Sequence, residues 1–126
     1  MATKKQEMLN NLDRFTEAYL AAALWSSLDD KGKPLDKKYN NSDFTAAALA
    51  QGVRECKDFQ DKYGHLWEDD ADADDDDAGH HFWLNRNRNG EGFWAGDYEH
   101  GEQLSKAAHR AGERDIYVAG GKLHFA

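Results

Sequence analysis

Between Glu68 and Asp77 the chain reads EDDADADDDD, eight carboxylates with no base among them. Carboxylates at this density can hold a hard cation or stand in for a phosphate backbone. A calcium loop of the EF-hand type needs oxygen ligands at positions one, three and five, glycine at six and a bidentate Glu at twelve. Counted from Asp70, Asp72 and Asp74 supply ligands, but Asp75 takes the glycine place and His81 the last. Counted from Asp72, Asp77 stands at six and Trp83 at twelve. Neither register fits, which leaves weak, unspecific attraction of divalent cations. The phosphate reading has better geometry. One DNA strand carries a charge about every 3.4 Å, and an extended chain advances ~3.3 Å per residue. A basic groove on a nucleic-acid enzyme would attract such a strap. A solubilising loop with no partner is the plain alternative.

The other chemistry-bearing residues do not assemble into a motif. The six histidines are His65, His80, His81, His100, His109 and His124. No two have the i,i+4 spacing of a helical zinc pair, and none has a cysteine beside it. On an expected strand, His80 and His81 point to opposite faces. The lone Cys56 excludes an intramolecular disulfide and, on an apolar helical stripe, reads as a small buried hydrophobe. Ser26-Ser27 lacks a Gly-x-Ser-x-Gly turn, and no glycine-rich phosphate loop precedes a helix. The expectation is a protein with no enzymatic activity, no metal and no cofactor.

Trp83 and Trp94, with Arg86 and Arg88 nearby, could stack and pair with single-stranded nucleic acid. The alternative is that the rings fill the core while the arginines lie over them. A small domain needs large rings for core volume, which favours the second reading. No direct nucleic-acid binding is therefore expected.

These residues require elements to position them. Leu12, Phe15, Tyr19 and Ala22 share a helical face, and the spacing predicts one helix from about Thr3 to Leu28. The turn-rich Asp29-Asp30-Lys31-Gly32-Lys33-Pro34 stops it. Leu49, Val53, Cys56, Phe59 and Tyr63 predict a second helix, antiparallel to the first, opening near Ser42 or Asp43 and closing at Gly64. Residues 68–78 are expected to form an exposed, mobile acidic loop, because the carboxylates repel and offer nothing to bury. Beyond it, Phe82 and Leu84 alternate with Trp83 and Asn85, and Asn89-Gly90 is a tight-turn signal, so residues 81–95 read as a β-hairpin. A short helix from Gly101 to Ala111 ends at Gly112, and a terminal hairpin turns at Gly120-Gly121. The expected fold class is α+β, two N-terminal helices followed by β-hairpin–helix–β-hairpin in one antiparallel sheet, residues 1–126 forming a single domain.

The net charge of −8 lies wholly in the acidic run: its eight acids set aside, 16 remain against 16 Lys and Arg. The body is neutral and the strap is not. No stretch has the roughly 20 apolar residues that span a bilayer, and MATKKQEMLNN lacks the apolar core of a secretory signal, so a cytoplasmic protein without membrane contact is expected.

Three stretches, ALWSSLDDKGKPLDKKY, GHHFWLNRNRNGEGFW and GEQLSKAAHRAGERDIYVAGGKLHF, resemble a group of small uncharacterised proteins of tailed bacteriophages and prophages. In that group an FWL-x-RN-x-x-G-x-GFW segment follows a Leu-Trp-Ser segment. Here its residues are Phe82, Trp83, Leu84, Arg86, Asn87, Gly90, Gly92, Phe93 and Trp94. His81 and Ala95-Gly96 depart from the pattern, where aspartates are usual, and the acidic insert is peculiar to this chain. The resemblance implies a phage origin, and with it a bacterial host cell, and a fold; it supplies no mechanism.

The leading expectation is a non-enzymatic phage accessory protein for host takeover or anti-defence, which binds a host or phage protein and inhibits a nucleic-acid-handling or defence complex. Its candidate partner-binding residues are Glu68, Asp69, Asp70, Asp72, Asp74, Asp75, Asp76 and Asp77, with Trp83, Arg86, Arg88 and Trp94 as a second surface. A virion-associated or structural accessory protein is the alternative, and a metal-dependent nuclease a more distant one.

Overall fold

The structure is a computed structural model and describes residues 3–68, 74–88, 92–93 and 98–126. Helices α1 (Lys4–Asn10), α2 (Arg14–Ser26), α3 (Ala46–Tyr63), α4 (Asp75–Arg86) and α5 (Gly101–Ala111) precede a hairpin of β1 (Ile116–Ala119) and β2 (Lys122–Phe125). The α+β class holds, with helix dominating.

The expected first helix is two helices. Asp13 breaks the run: its side chain accepts from the Thr16 N–H at 2.8 Å and so caps α2. An aspartate that satisfies an otherwise orphaned amide starts a new helix more readily than it continues an old one. The second expected helix is α3, capped by Thr45 through the Ala48 N–H rather than by Ser42 or Asp43, which lie in a preceding 3₁₀ turn at Asn41–Asp43. It runs antiparallel to α2, with Phe15 stacked on Phe59 and Gln60 bonded to Asp13.

The hairpin expected over residues 81–95 is absent where the structure can be read, since His81–Arg86 is the second half of α4. The expected loop at 68–78 likewise gives way to helix from Asp75 onward. Phe82, Trp83, Leu84, Asn85 and Arg86 are all buried, so no polar face is left to betray a 3.6-residue period. The turn expected at Asn89-Gly90 and the return strand through Trp94 lie outside the described residues.

Helix α4 packs on α2 in the same chain direction. Arg14 meets Asp76 near one end and Ser26 meets Trp83 near the other. The crossing is closest at Gly79, where a Cβ would stand 2.0 Å from the Phe15 carbonyl oxygen. Only glycine permits that approach. Around the crossing Phe15, Tyr19, Phe59, Trp67, Phe82 and Phe93 form one aromatic core, its tightest pair Phe59 and Phe82 at 4.1 Å between ring centres.

Helix α5 and the terminal hairpin match the expected limits. Gly120 and Gly121 sit at φ 61° and 75°, the left-handed pair that a two-residue hairpin turn demands. The register pairs Ile116 with Phe125 and Val118 with Leu123. Leu123 is buried, and its carbonyl accepts from the Thr45 N–H, which fixes the hairpin to the head of α3. Among the described residues the sheet has these two strands only.

Candidate interaction site

The acidic run ends as the first turn of a helix, and this decides what each carboxylate can do. Asp74 is the N-cap, accepting from the Asp77 N–H at 2.9 Å. Asp75 accepts from the indole N–H of the buried Trp67 at 3.1 Å. Asp76 forms a two-pronged contact with the Arg14 guanidinium, at 3.1 and 2.8 Å. The positive end of the α4 dipole favours acids here, so repulsion among the carboxylates is offset by the turn they begin. Glu68, Asp74, Asp75 and Asp77 are exposed. Asp69, Asp70 and Asp72 lie outside the described residues.

Beside this turn, Trp25 projects from the end of α2 with 56% of its surface exposed, its ring 5.9 Å from that of His80. His80 is three residues beyond Asp77 and four beyond Asp76, so all three share one stripe of α4. His80 and His81, expected on opposite faces, instead meet edge to face at 5.5 Å, as neighbours on a helix can.

Trp83 and Arg86 face inward. Trp83 is 2% exposed and its indole N–H donates to Ser26 Oγ at 2.8 Å. Arg86, equally buried, donates to Glu55 (2.7 Å), Tyr19 Oη (2.9 Å) and the carbonyls of Gly112 (2.7 Å) and Ala111 (3.1 Å), with its guanidinium 5.1 Å from the Phe82 ring centre. Arg114 grips the other side of Glu55, from Nη2 to Oε2 at 2.7 Å. Burial alone would push the Glu55 carboxyl up, but the hydrogen bonds and charges of Arg114 and Arg86 hold it below the usual carboxylate range. Next to it, Asn85 accepts from the Phe93 N–H and the Ser105 hydroxyl, and approaches His109 Nε2 at 2.9 Å. With Asn87 accepting from the Arg114 N–H at 2.7 Å, the Asn85-Arg86-Asn87 segment is a clamp that ties α4 to α3, to α5 and to the residues leading into β1. Asn85 and Arg86 are buried, hold the fold together and are closed to a partner. Arg88, just beyond, is exposed in a left-handed conformation at φ 53°. Trp94 lies outside the described residues.

Cys56 is buried as expected, and burial pushes its thiol far up, away from reactivity. Among the described residues no three of His, Cys, Asp and Glu converge as metal ligands would.

Two clefts open beyond the clamp, sharing Leu28 and Ile116. One, of about 650 Å³, reaches Arg88, Glu113 and Asp115. The other, of about 690 Å³, lies between β1 and the loop from Leu28 to Tyr39. Leu28, Tyr117 and Val118 on its walls are among the most exposed large apolar residues. Sequence reading recognised the loop and the hairpin separately, but nothing in the local pattern says that they face each other.

No protein-family model matches the chain, and neither does any curated protein or solved structure.

Proposed function

We propose that this chain is a non-enzymatic phage accessory protein that binds a host or phage protein, inhibiting a nucleic-acid-handling or defence complex. Its acidic surface over residues 68–77 would occupy the place of nucleic acid. The observation that carries this reading is the anchored start of α4. Exposed carboxylates at Asp74, Asp75 and Asp77 sit on a helix held to the core by Gly79 and Trp67, with Glu68 across the run and Trp25 alongside. A negative surface on a fixed frame, next to an exposed indole, suits electrostatic recognition with an aromatic anchor. The phage origin rests on the resemblance of the three sequence stretches.

The test uses tagged protein, as wild type and as the triple variant Glu68→Gln, Asp74→Asn, Asp77→Asn, to capture proteins from infected cells. Asparagine keeps the cap at position 74. The wild type should retain a nucleic-acid-handling protein that the variant releases and that duplex DNA competes away. Equal retention by both proteins, or recovery only in purified virions, contradicts the reading.

A further inference from the structure

The terminal hairpin has one covered edge and one open edge. β2 is flanked by Phe44, which bridges to Leu123, whereas β1 has no second neighbour among the described residues. The Asp115 carbonyl accepts from the Ala126 N–H at 2.9 Å, so these two residues are a hydrogen-bonded pair of the antiparallel ladder. Alternation along the ladder then makes Tyr117–His124 and Ala119–Lys122 the next such pairs. The backbone N–H and C=O groups of Ile116 and Val118 must therefore point away from β2, and no described group bonds to them. An edge of this kind is a template for another strand.

Proteins commonly blunt such an edge with a charge on the strand itself. β1 is Ile-Tyr-Val-Ala and carries none. The charges stand on the opposite wall of the 690 Å³ cleft, where Lys31, Lys33, Lys37 and Lys38 line the loop. None of these four lysines makes an ion pair among the described residues, whereas Lys57, Lys62 and Lys106 each have a carboxylate partner. Asp29 and Asp30 share the wall, the Asp29 carboxylate accepting the backbone N–H groups of Lys31 and Lys33, so four ammonium groups stand against two carboxylates. The wall is basic in a chain whose net charge is −8.

We propose that the free edge of β1 binds an extended, acidic segment of a partner protein as a third strand, lying in the cleft between β1 and the lysine-bearing loop. Ile116 and Val118 would supply the backbone pairing. The four ammonium groups would select carboxylates along the incoming strand, and Leu28 with Val118 would take its apolar side chains. This site is separate from the acidic start of α4 and would stand if that surface proved inert.

The probe is a labelled seven-residue peptide alternating Val or Thr with Glu, compared with its Lys-for-Glu counterpart and with a copy N-methylated at alternate backbone nitrogens. The acidic peptide should bind, more weakly as salt rises, and protect the Ile116 and Val118 amides from hydrogen exchange. The Lys peptide and the N-methylated peptide should each bind at least about tenfold more weakly. Val118→Pro removes an outward N–H without touching the β1–β2 ladder and should have the same effect. Lys33→Glu with Lys37→Glu, both exposed positions, should reverse the preference between the acidic and Lys peptides, and keeps the test valid if the proline variant does not fold. Equal binding of the acidic and N-methylated peptides would overturn the proposal. So would tighter binding of single-stranded oligonucleotide, or self-association of the chain through the same amides. Neutralising Glu68, Asp74 and Asp77 should leave peptide binding unchanged.

Discussion

Arg86 and Glu55 meet at 2.7 Å, and the arginine that makes this contact is buried while the glutamate is held from the other side by Arg114. Each nitrogen of the Arg86 guanidinium has an acceptor, two of the four being the carbonyls that end α5. Replacing Arg86 by Met should cost about 3–5 kcal/mol in urea unfolding, because it strands these acceptors and half-frees a carboxylate. Adding Glu55→Leu should cost less than the two single effects together, since each residue is the other's partner. Arg14→Gln, at an exposed pair, should leave stability unchanged.

Glu55 and the α2 cap Asp13 together set an acid limit. Glu55 is held below the usual carboxylate range as described. Asp13 is too: burial raises it, but the hydrogen bonds from Thr16 and Gln60 outweigh burial. A carboxyl whose folded pKa is depressed stabilises the fold above its unfolded pKa, about 3.9 for Asp and 4.3 for Glu. That stability is lost as pH falls through the folded values. Thermal midpoints should begin to fall near pH 5 and drop further toward pH 2, more shallowly in Glu55→Gln.

Gly79→Ala should be strongly destabilising. The Cβ would overlap the Phe15 backbone, which cannot swing aside as a side-chain tip could. Separating α2 from α4 costs more than about 3 kcal/mol and loosens the frame of the acidic turn. Circular dichroism melts of the variant should show the loss directly.

Trp83→Ala should cost about 3–5 kcal/mol by cavity formation and loss of the bond to Ser26. Its burial was legible in the sequence; its helix was not. α5 and the terminal hairpin could be read because each shows its own periodicity and stop, Gly112 in one case and Gly120-Gly121 in the other. α4 hid for two reasons. Its Phe82-Trp83-Leu84 centre is covered on all sides, and its first turn reads as repelling charge unless the chain is already helical. The signal was present: Asp74 as cap, acids in the first turn and Arg86 in the last is a helix signature with the charges at the right ends. The meeting of the Lys31–Lys38 loop with β1 left no local trace, because it is made by tertiary packing alone.

The most direct measurement of the central claim is the association rate of the captured partner with wild-type protein and with the Glu68→Gln, Asp74→Asn, Asp77→Asn variant, followed across salt. Screening shortens the reach of charge from about 10 Å at 0.1 M to about 3 Å at 1 M. The wild-type rate should fall by about tenfold or more over that range, while the variant starts slow and changes little, both with the same thermal midpoint. A variant that associates at the wild-type rate in low salt, with the same salt dependence, would contradict recognition through the acidic start of α4.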